Sequence, residues 1–432
     1  MVAGTPREPP SWRSRLRRGL TLGGVISVIA VGAIAIMAVI GSNIGVEALI
    51  VGLIAAIVPV PVIVLAFLWL DRYEPEPMKY LTFCFAWGAF VSTSVSIAVN
   101  TGSVYVFERV GVPEGMVAVL VAPCIEELTK AAGPLLLLWR RRRHISGMTD
   151  GIVYCGLSAT GFAMVENILY LGGAGYHAGT EEFGPATGLQ LLFAIFIMRI
   201  LLSGFAHPLF TAMTGVGVGI AARTSSRAVR WIAPICGLLV AMMLHGSWNL
   251  MATLAAETGE PLYLLYGYVA VMLPILLGMV GFAVWLRAWE GQLTQRMLTD
   301  YVRVGWLSPP EVAALRSLGT RHSARLWARR VAGEPGMRAM RGFQFAATRL
   351  ALLRDGMRRG LHAAGEAADT AAEERALLAE LAEHRTVFVG RDPQVPPARW
   401  DGHRYEITFP DGVRREVPAP AEPVVPVPVV LR

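Results

Sequence analysis

Charge is what this chain has least of. Asp, Glu, Lys and Arg make up 16% of its 432 residues, against roughly 25% in a soluble domain. The shortage excludes a soluble class for the first two-thirds; the last third is polar and Arg-rich. Cysteine is also sparse. Cys84, Cys124, Cys155 and Cys236 lie in or beside apolar runs and form no Cys-x-x-Cys pair. That excludes a disulfide framework and a zinc knuckle, and leaves the four as small core hydrophobes. No His-Glu-x-x-His occurs, so the usual zinc-hydrolase signature is missing. The net charge of +7 is no argument for nucleic acid, because much of it flanks apolar runs, where membrane topology explains it.

What the chain has in abundance is hydrophobic length. Apolar residues make up 54% of it. A membrane-spanning helix needs about 20 apolar residues. Runs of that kind fall at Leu20–Ile40, Ala48–Leu70, Leu81–Val99, Met116–Trp139, Gly151–Leu171, Leu189–Ala221, Trp231–Ala256 and Tyr263–Leu286. The expected fold is all-α, a polytopic membrane protein of about eight transmembrane helices. The sixth run is too long for one straight crossing, and Pro208 inside it predicts a kink. The apolar core of the first run exceeds that of a cleaved signal peptide, which favours a retained helix.

Basic residues alternate between successive loops. Arg7, Arg13, Arg15, Arg17 and Arg18 precede the first run. Arg72 and Lys79 follow the second, Arg140–Arg143 the fourth, and Arg223, Arg227 and Arg230 the sixth. The intervening loops have almost none, Arg109 excepted. The positive-inside rule then puts both termini in the cytoplasm. Residues 1–19 read as a basic cytoplasmic segment, 20–290 as the membrane domain and 291–432 as a mainly helical cytoplasmic tail. Ser308-Pro309-Pro310-Glu311 is a helix start. Met340–Leu361 and Glu366–His384 read as a helical hairpin, and the Pro/Val-rich end, Pro418–Pro428, as extended or disordered.

Seven ionisable residues interrupt the apolar runs: Glu126, Glu127, Lys130, Glu166, Arg199, His207 and His245, with Asn249 as an eighth polar group. Each charge at a bilayer centre costs about 2.5–3.5 kcal/mol, so this many must serve one another or a shared purpose. Adjacent carboxylates repel, which separates a base from its partner. Lys130 follows Glu126 at (i, i+4) and holds it ionised. Pro123, one turn earlier, opens the helix. Glu166 reads as a metal ligand, a water-orienting base or the mate of Arg199. His245 and Asn249 share a helix face, where the Asn amide is placed to stabilise an oxyanion.

Four motifs occur in order on successive runs: Glu-Glu-x-x-Lys at Glu126–Lys130, Phe-x-x-x-Glu-Asn at Phe162–Asn167, Arg-x7-His-x7-Gly at Arg199, His207 and Gly215, and His-x-x-Trp-Asn at His245–Asn249. Their combination resembles the PrsW family of intramembrane proteases over roughly 71–249. Asp71-Arg72-Tyr73-Glu74-Pro75-Glu76-Pro77 also looks like a family feature. The family is in turn similar to the CAAX-processing and bacteriocin-processing membrane proteases. Glu166 stands where that larger group has His, which favours the PrsW branch. The resemblance implies a multi-pass peptidase of the cell membrane. Its partners are the bilayer and membrane-anchored protein substrates, such as anti-sigma factors, with no nucleic acid.

Two chemistries follow for such a site. In one, Glu166, His207 and His245 hold a divalent metal, zinc by preference, with water in an open fourth position; PrsW proteins are usually called metalloproteases. In the other, no metal is needed: Glu126 or Glu127 is the base, Lys130 its counter-ion, His207 orients water, and His245 with Asn249 forms the oxyanion hole. Two rival classes use the same residues differently. A proton- or ion-coupled transporter would employ them as a relay, although no internal repeat of the kind transporters show is evident. A non-catalytic scaffold would need them all to be glue.

Overall fold

The computed structural model describes residues 12–113, 115–140, 147–361, 367–392, 399–400, 404–408 and 414–418. Arg7, Arg141, Arg142, Arg143 and the Pro/Val-rich end after Pro418 lie outside them. The described chain is helical apart from one small sheet, so the all-α expectation holds for the membrane domain and most of the tail.

The helices are α1 (Trp12–Ile57), α2 (Val60–Leu70), α3 (Met78–Arg109), α4 (117–140), α5 (Met148–Phe183), α6 (Pro185–Ala222), α7 (Arg227–Thr258) and α8 (Leu262–Arg303). Six continuous stretches are long and apolar enough to cross a bilayer. All eight expected runs fall on helix nonetheless. Two of them share the stretch Leu22–Leu70, where the helix is broken by a kink at Gly45, whose φ of 81° is open to glycine at no steric cost. Gly41 meets Leu49 across that bend. The helix α4 fails the apolar criterion because Glu126, Glu127 and Lys130 lie within it, although it is long enough to span.

The centre is α5, 36 residues long and so about 54 Å at 1.5 Å per residue. It is 83% buried in its most apolar window, against 11–33% for the other candidates. Its partner α6 runs back along it. At Gly151 and Gly215 the two backbones touch: a Cβ at either position would stand 2.0–2.4 Å from the other's carbonyl oxygen, which is the close approach small residues permit. The expected kink in α6 is a full break at Ser203–Phe205, just before Pro208. Wide π-helical turns precede or follow the polar positions, at Val117–Val121, Leu169–His177 and Ile197–Leu202; such turns recur at functional sites.

The tail continues from α8 through α9 (Pro309–Ala314), α10 (Leu318–Arg358, broken at Gly333) and α11 (Ala367–Thr386). Ser308 and Glu311 form the expected capping box. The second half of α10 pairs with α11, and their buried Phe343, Leu350, Leu377 and Leu381 join Leu298 and Tyr301 of α8 in one apolar core. A three-stranded antiparallel sheet follows, β1 (Arg399–Trp400), β2 (Arg404–Thr408) and β3 (Arg414–Pro418), where only helix and disorder were expected.

The tail is locked to the loop between α2 and α3. Buried Arg321 donates to the Tyr73 carbonyl (3.4 Å), the Leu315 carbonyl (3.0 Å) and the Thr348 hydroxyl (2.7 Å), and lies over the Tyr73 ring. The Tyr73 hydroxyl donates to the Arg316 carbonyl. Arg223, just after α6, pairs with Asp355 of α10.

Candidate active site

The fold brings the polar groups of α4, α5, α6 and α7 together at mid-span. Glu126, Glu127 and Lys130 occupy one face of α4 because residues three and four apart share a face. The Lys130 ammonium donates to Glu127 Oε1 (2.9 Å), Glu126 Oε2 (3.3 Å) and His207 Nδ1 (3.0 Å), and sits 4.1 Å over the Phe162 ring. Lys130 and Glu127 are fully buried, Glu126 nearly so.

Around this core each histidine has a carboxylate. His245 Nδ1 bonds Glu127 Oε1 at 3.0 Å, and its Nε2 stands 3.8 Å from Glu126 Oε2. The Thr211 hydroxyl donates to the other oxygen of Glu127 at 2.6 Å. His207 Nε2 meets Glu166 Oε2 at 2.8 Å, and Arg199 bonds the same oxygen. Arg199 also donates to Asn167 Oδ1 and lies over the Tyr170 ring. The imidazoles meet edge to face at 5.0 Å.

A cavity of about 600 Å³ opens on this cluster. Glu126, Glu166, Arg199, His207, His245 and Asn249 line it, with Thr93, Ser96 and Asn100 of α3 opposite. Glu127 and Lys130 are sealed behind it. Of the adjacent carboxylates, therefore, only Glu126 reaches the space where water and substrate fit.

The geometry bears on two of the expected roles. The metal-capable group among the described residues is Glu126, His207 and His245, whose ligand atoms lie within 4.8 Å of one another. From the sequence Glu166 reads as a metal ligand, a water-orienting base or the mate of Arg199; its Oε2 is held by Arg199 and His207. Asn249 had been expected in an oxyanion hole, but its amide donates to the Ala118 carbonyl at 2.8 Å. The cause is local. In the π turn the Ala122 N–H reaches back to Val117, so the matching donor for Ala118 would be residue 123, a proline without N–H. Asn249 supplies what Pro123 cannot.

Thr211 and Asn100 were not singled out from the sequence. Thr211 lies four residues after His207, on the same helical face, and that spacing was the available signal. Asn100 stands just past the apolar run Leu81–Val99; its amide reaches Glu126 Oε1 at 3.4 Å, and its own Oδ1 is buried without a partner.

A second set of acids lies where membrane domain and tail meet: Asp71, Glu76 and Asp150 are buried and Glu290 half-buried. Asp71 accepts the Glu76 N–H at 2.8 Å, Glu76 accepts the Tyr154 hydroxyl at 2.5 Å, and Glu290 accepts the Thr149 hydroxyl. Burial pushes the Asp71 carboxyl up to about 8 and the Glu76 carboxyl up to about 9, with the charge of Asp150 adding to both. A space of about 20 Å³ borders Asp71, Asp150 and Glu290, enough for roughly one water.

Fold and cluster together define an integral-membrane protein with an acid–base site between its helices. Comparison with known proteins makes the class specific. Residues 76–279 match the family model described as PrsW family intramembrane metalloprotease. The chain is similar to Protease PrsW of Clostridioides difficile (strain 630), 28% identical over 222 residues, covering 50% of this chain and 84% of the relative. It is also similar to Protease PrsW of Bacillus subtilis (strain 168), 28% identical over 187 residues, 42% of this chain and 74% of the relative. No solved structure matches. Over residues 76–279 the chain resembles the PrsW family, and that similarity together with its apolar helices supports a multi-pass membrane peptidase. Nothing in these comparisons favours a transporter.

Proposed function

We propose that the chain hydrolyses peptide bonds of membrane-anchored proteins in the mid-span cavity, with Glu126 as the carboxylate that meets the attacking water. The observation that carries this is the unequal placement of the two glutamates: Glu126 lines the cavity, and Glu127 is enclosed by Lys130, His245 and Thr211. Lys130 stands 3.3 Å from Glu126 Oε2, a charge that favours the carboxylate form a general base needs. Glu127 accepts the hydrogen bond of a His245 Nδ1–H, the tautomer that leaves Nε2 bare toward Glu126 and the cavity.

The donor set suits a divalent ion. A carboxylate and two imidazoles converge, and Glu127 holds His245 from behind, as partners of ligating histidines commonly do. Bound there, zinc or a similar ion would polarise the scissile carbonyl and lower the pKa of a bound water. Both nitrogens of His207 are engaged, so ion binding takes over the bond now made by Lys130 or Glu166. That same fact favours a second reading without metal, in which the Lys130 ammonium is already the cation of the site. Elemental analysis of purified protein separates the two. The metal reading expects close to one ion per chain, lost in His245→Ala, and cleavage stopped reversibly by a strong chelator. Full cleavage in metal-free protein removes it.

The cavity walls Thr101, Val104, Val117, Ala118 and Ala174 lie toward the helix ends remote from the tail. With both termini cytoplasmic, as the basic loops argue, the cut falls in the outer half of the membrane. The substrates are then single-span regulators, anti-sigma factors among them, cut near the outer surface. Labelling of intact cells from outside should reach His177→Cys and miss a cysteine at Arg142; the reverse pattern overturns this topology.

A further inference from the structure

Four arginines gather where α2, α8 and α10 meet at the edge of the membrane domain: Arg72, Arg287, Arg325 and Arg341. Arg72 lies within electrostatic reach of both Arg287 and Arg325, and Arg341 within reach of Arg325. Burial first, then the charges of Arg341 and Arg72, hold the Arg325 guanidinium below its ordinary range. The salt bridges found among the described residues include none of the four. Arg287 is 93% buried by its 7% exposure, yet its Nε and Nη2 have no hydrogen-bond acceptor; nor has Nε of Arg325. Glu290 is the acid within reach of Arg287, and the Thr149 hydroxyl already engages it.

Like charges gathered without a counter-ion are unfavourable, so the cluster calls for an anion. Its position says which one. Arg287 stands 3.5 Å over the ring of Trp69, near the end of the first apolar stretch. Trp69 is 44% exposed and Trp285 52% exposed. Exposed Trp beside Arg at the end of a span marks the headgroup level of a bilayer. Arg325 and Arg341 come from the tail, so an anion held here touches both parts of the chain.

We propose that Arg72, Arg287, Arg325 and Arg341 bind the phosphate of an anionic phospholipid at the rim of the membrane domain, and thereby seat the tail against the bilayer. The site is remote from the cavity of Glu126 and is independent of the cleavage chemistry.

The test uses the full chain in nanodiscs of phosphatidylcholine with phosphatidylglycerol, followed by native mass spectrometry of the lipid retained on release. The wild type should keep phosphatidylglycerol in preference to phosphatidylcholine. An interfacial Arg contributes about 1 kcal/mol, so Arg72→Gln and Arg325→Gln should each weaken retention about fivefold and together about 25-fold. Both sites are at least partly exposed, so the double variant should melt as the wild type does in pure phosphatidylcholine. Equal retention of the two lipids, or retention untouched by the double variant, overturns the proposal. So does a rise in melting temperature with millimolar inorganic phosphate that matches the effect of phosphatidylglycerol, since the occupant is then a soluble anion.

Discussion

Two groups of buried carboxylates lie in this chain, and they are kept buried in different ways. At mid-span, Glu126, Glu127 and Glu166 stand beside Lys130, Arg199 and two histidines, and open on a cavity of about 600 Å³. At the junction with the tail, Asp71 and Glu76 have amide and hydroxyl donors but share the nearby charge of Asp150, and Asp71 borders a space of only about 20 Å³. Desolvation penalises both groups alike. The first answers with cations, which pair with the carboxylates and favour their charged form beside open space. The second answers with protons, which makes the acids neutral hydrogen-bonding groups. Buried acid alone is therefore no mark of an active site; the partner and the space beside it decide.

The same chemical change should have opposite results in the two places. Glu126→Gln and Glu127→Gln each remove an anion that Lys130 needs. Cleavage of a membrane-anchored reporter should fall by about 10²–10⁴ in either case, the usual cost of a lost general base or of its support. Near-normal proteolysis in both variants would place the site elsewhere. Asp71→Asn, by contrast, replaces a group that is already neutral near pH 7, and should leave cleavage within about twofold.

Breaking the pair between Arg199 and Glu166 tests the pairing side more gently for chemistry and more severely for stability. Arg199→Ala leaves Glu166 with His207 alone; the two side chains are 25% and 16% exposed, so the loss should fall below the ~3–5 kcal/mol of a fully buried pair. Thermal unfolding in detergent should show it, and the double change with Glu166→Gln should recover part of the loss. A double variant no better than Arg199→Ala would mean that the two groups do not depend on each other.

The smallest effect expected is a pH slope from the junction. Asp71 and Glu76 have folded-state values of about 8 and about 9, above those of an unfolded chain. The folded state therefore binds more protons, and stability falls as pH rises between the unfolded value and about 8–9. The limit is about 1.4 kcal/mol per pH unit for each group. The melting temperature should drop from pH 6 to pH 8.5 in the wild type and drop less in Asp71→Asn. Equal slopes would show that the junction acids are charged throughout.

The mid-span group was legible because an apolar background makes every charge conspicuous, and because its motifs follow one another at helical spacings. Its internal assignments were less so. Which glutamate faces the cavity depends on the rotation of α4, and periodicity does not give the direction of the neighbours. Thr211 and Asn100 carry no charge and did not stand out. Asp71–Pro77 was recognised as a feature, but its partners Arg316 and Arg321 lie more than 240 positions away, beyond any local pattern. The sheet after Arg399 had a signal that was passed over. Tyr405 and Ile407 alternate with polar residues before Asp411-Gly412, a common hairpin pair.

The bond between Asn249 and Ala118 has a consequence for how α7 is held. A helix normally keeps its carbonyls for itself. Here Pro123 leaves one carbonyl of α4 on offer, and α7 takes it one turn beyond His245. The contact works as a rotational stop: while it holds, α7 has no freedom to twist His245 away from Glu127. Restoring the missing donor with Pro123→Ala would let α4 close its own bond and set that stop free. A change that improves the helix on paper would thus detune the pair of residues one turn away.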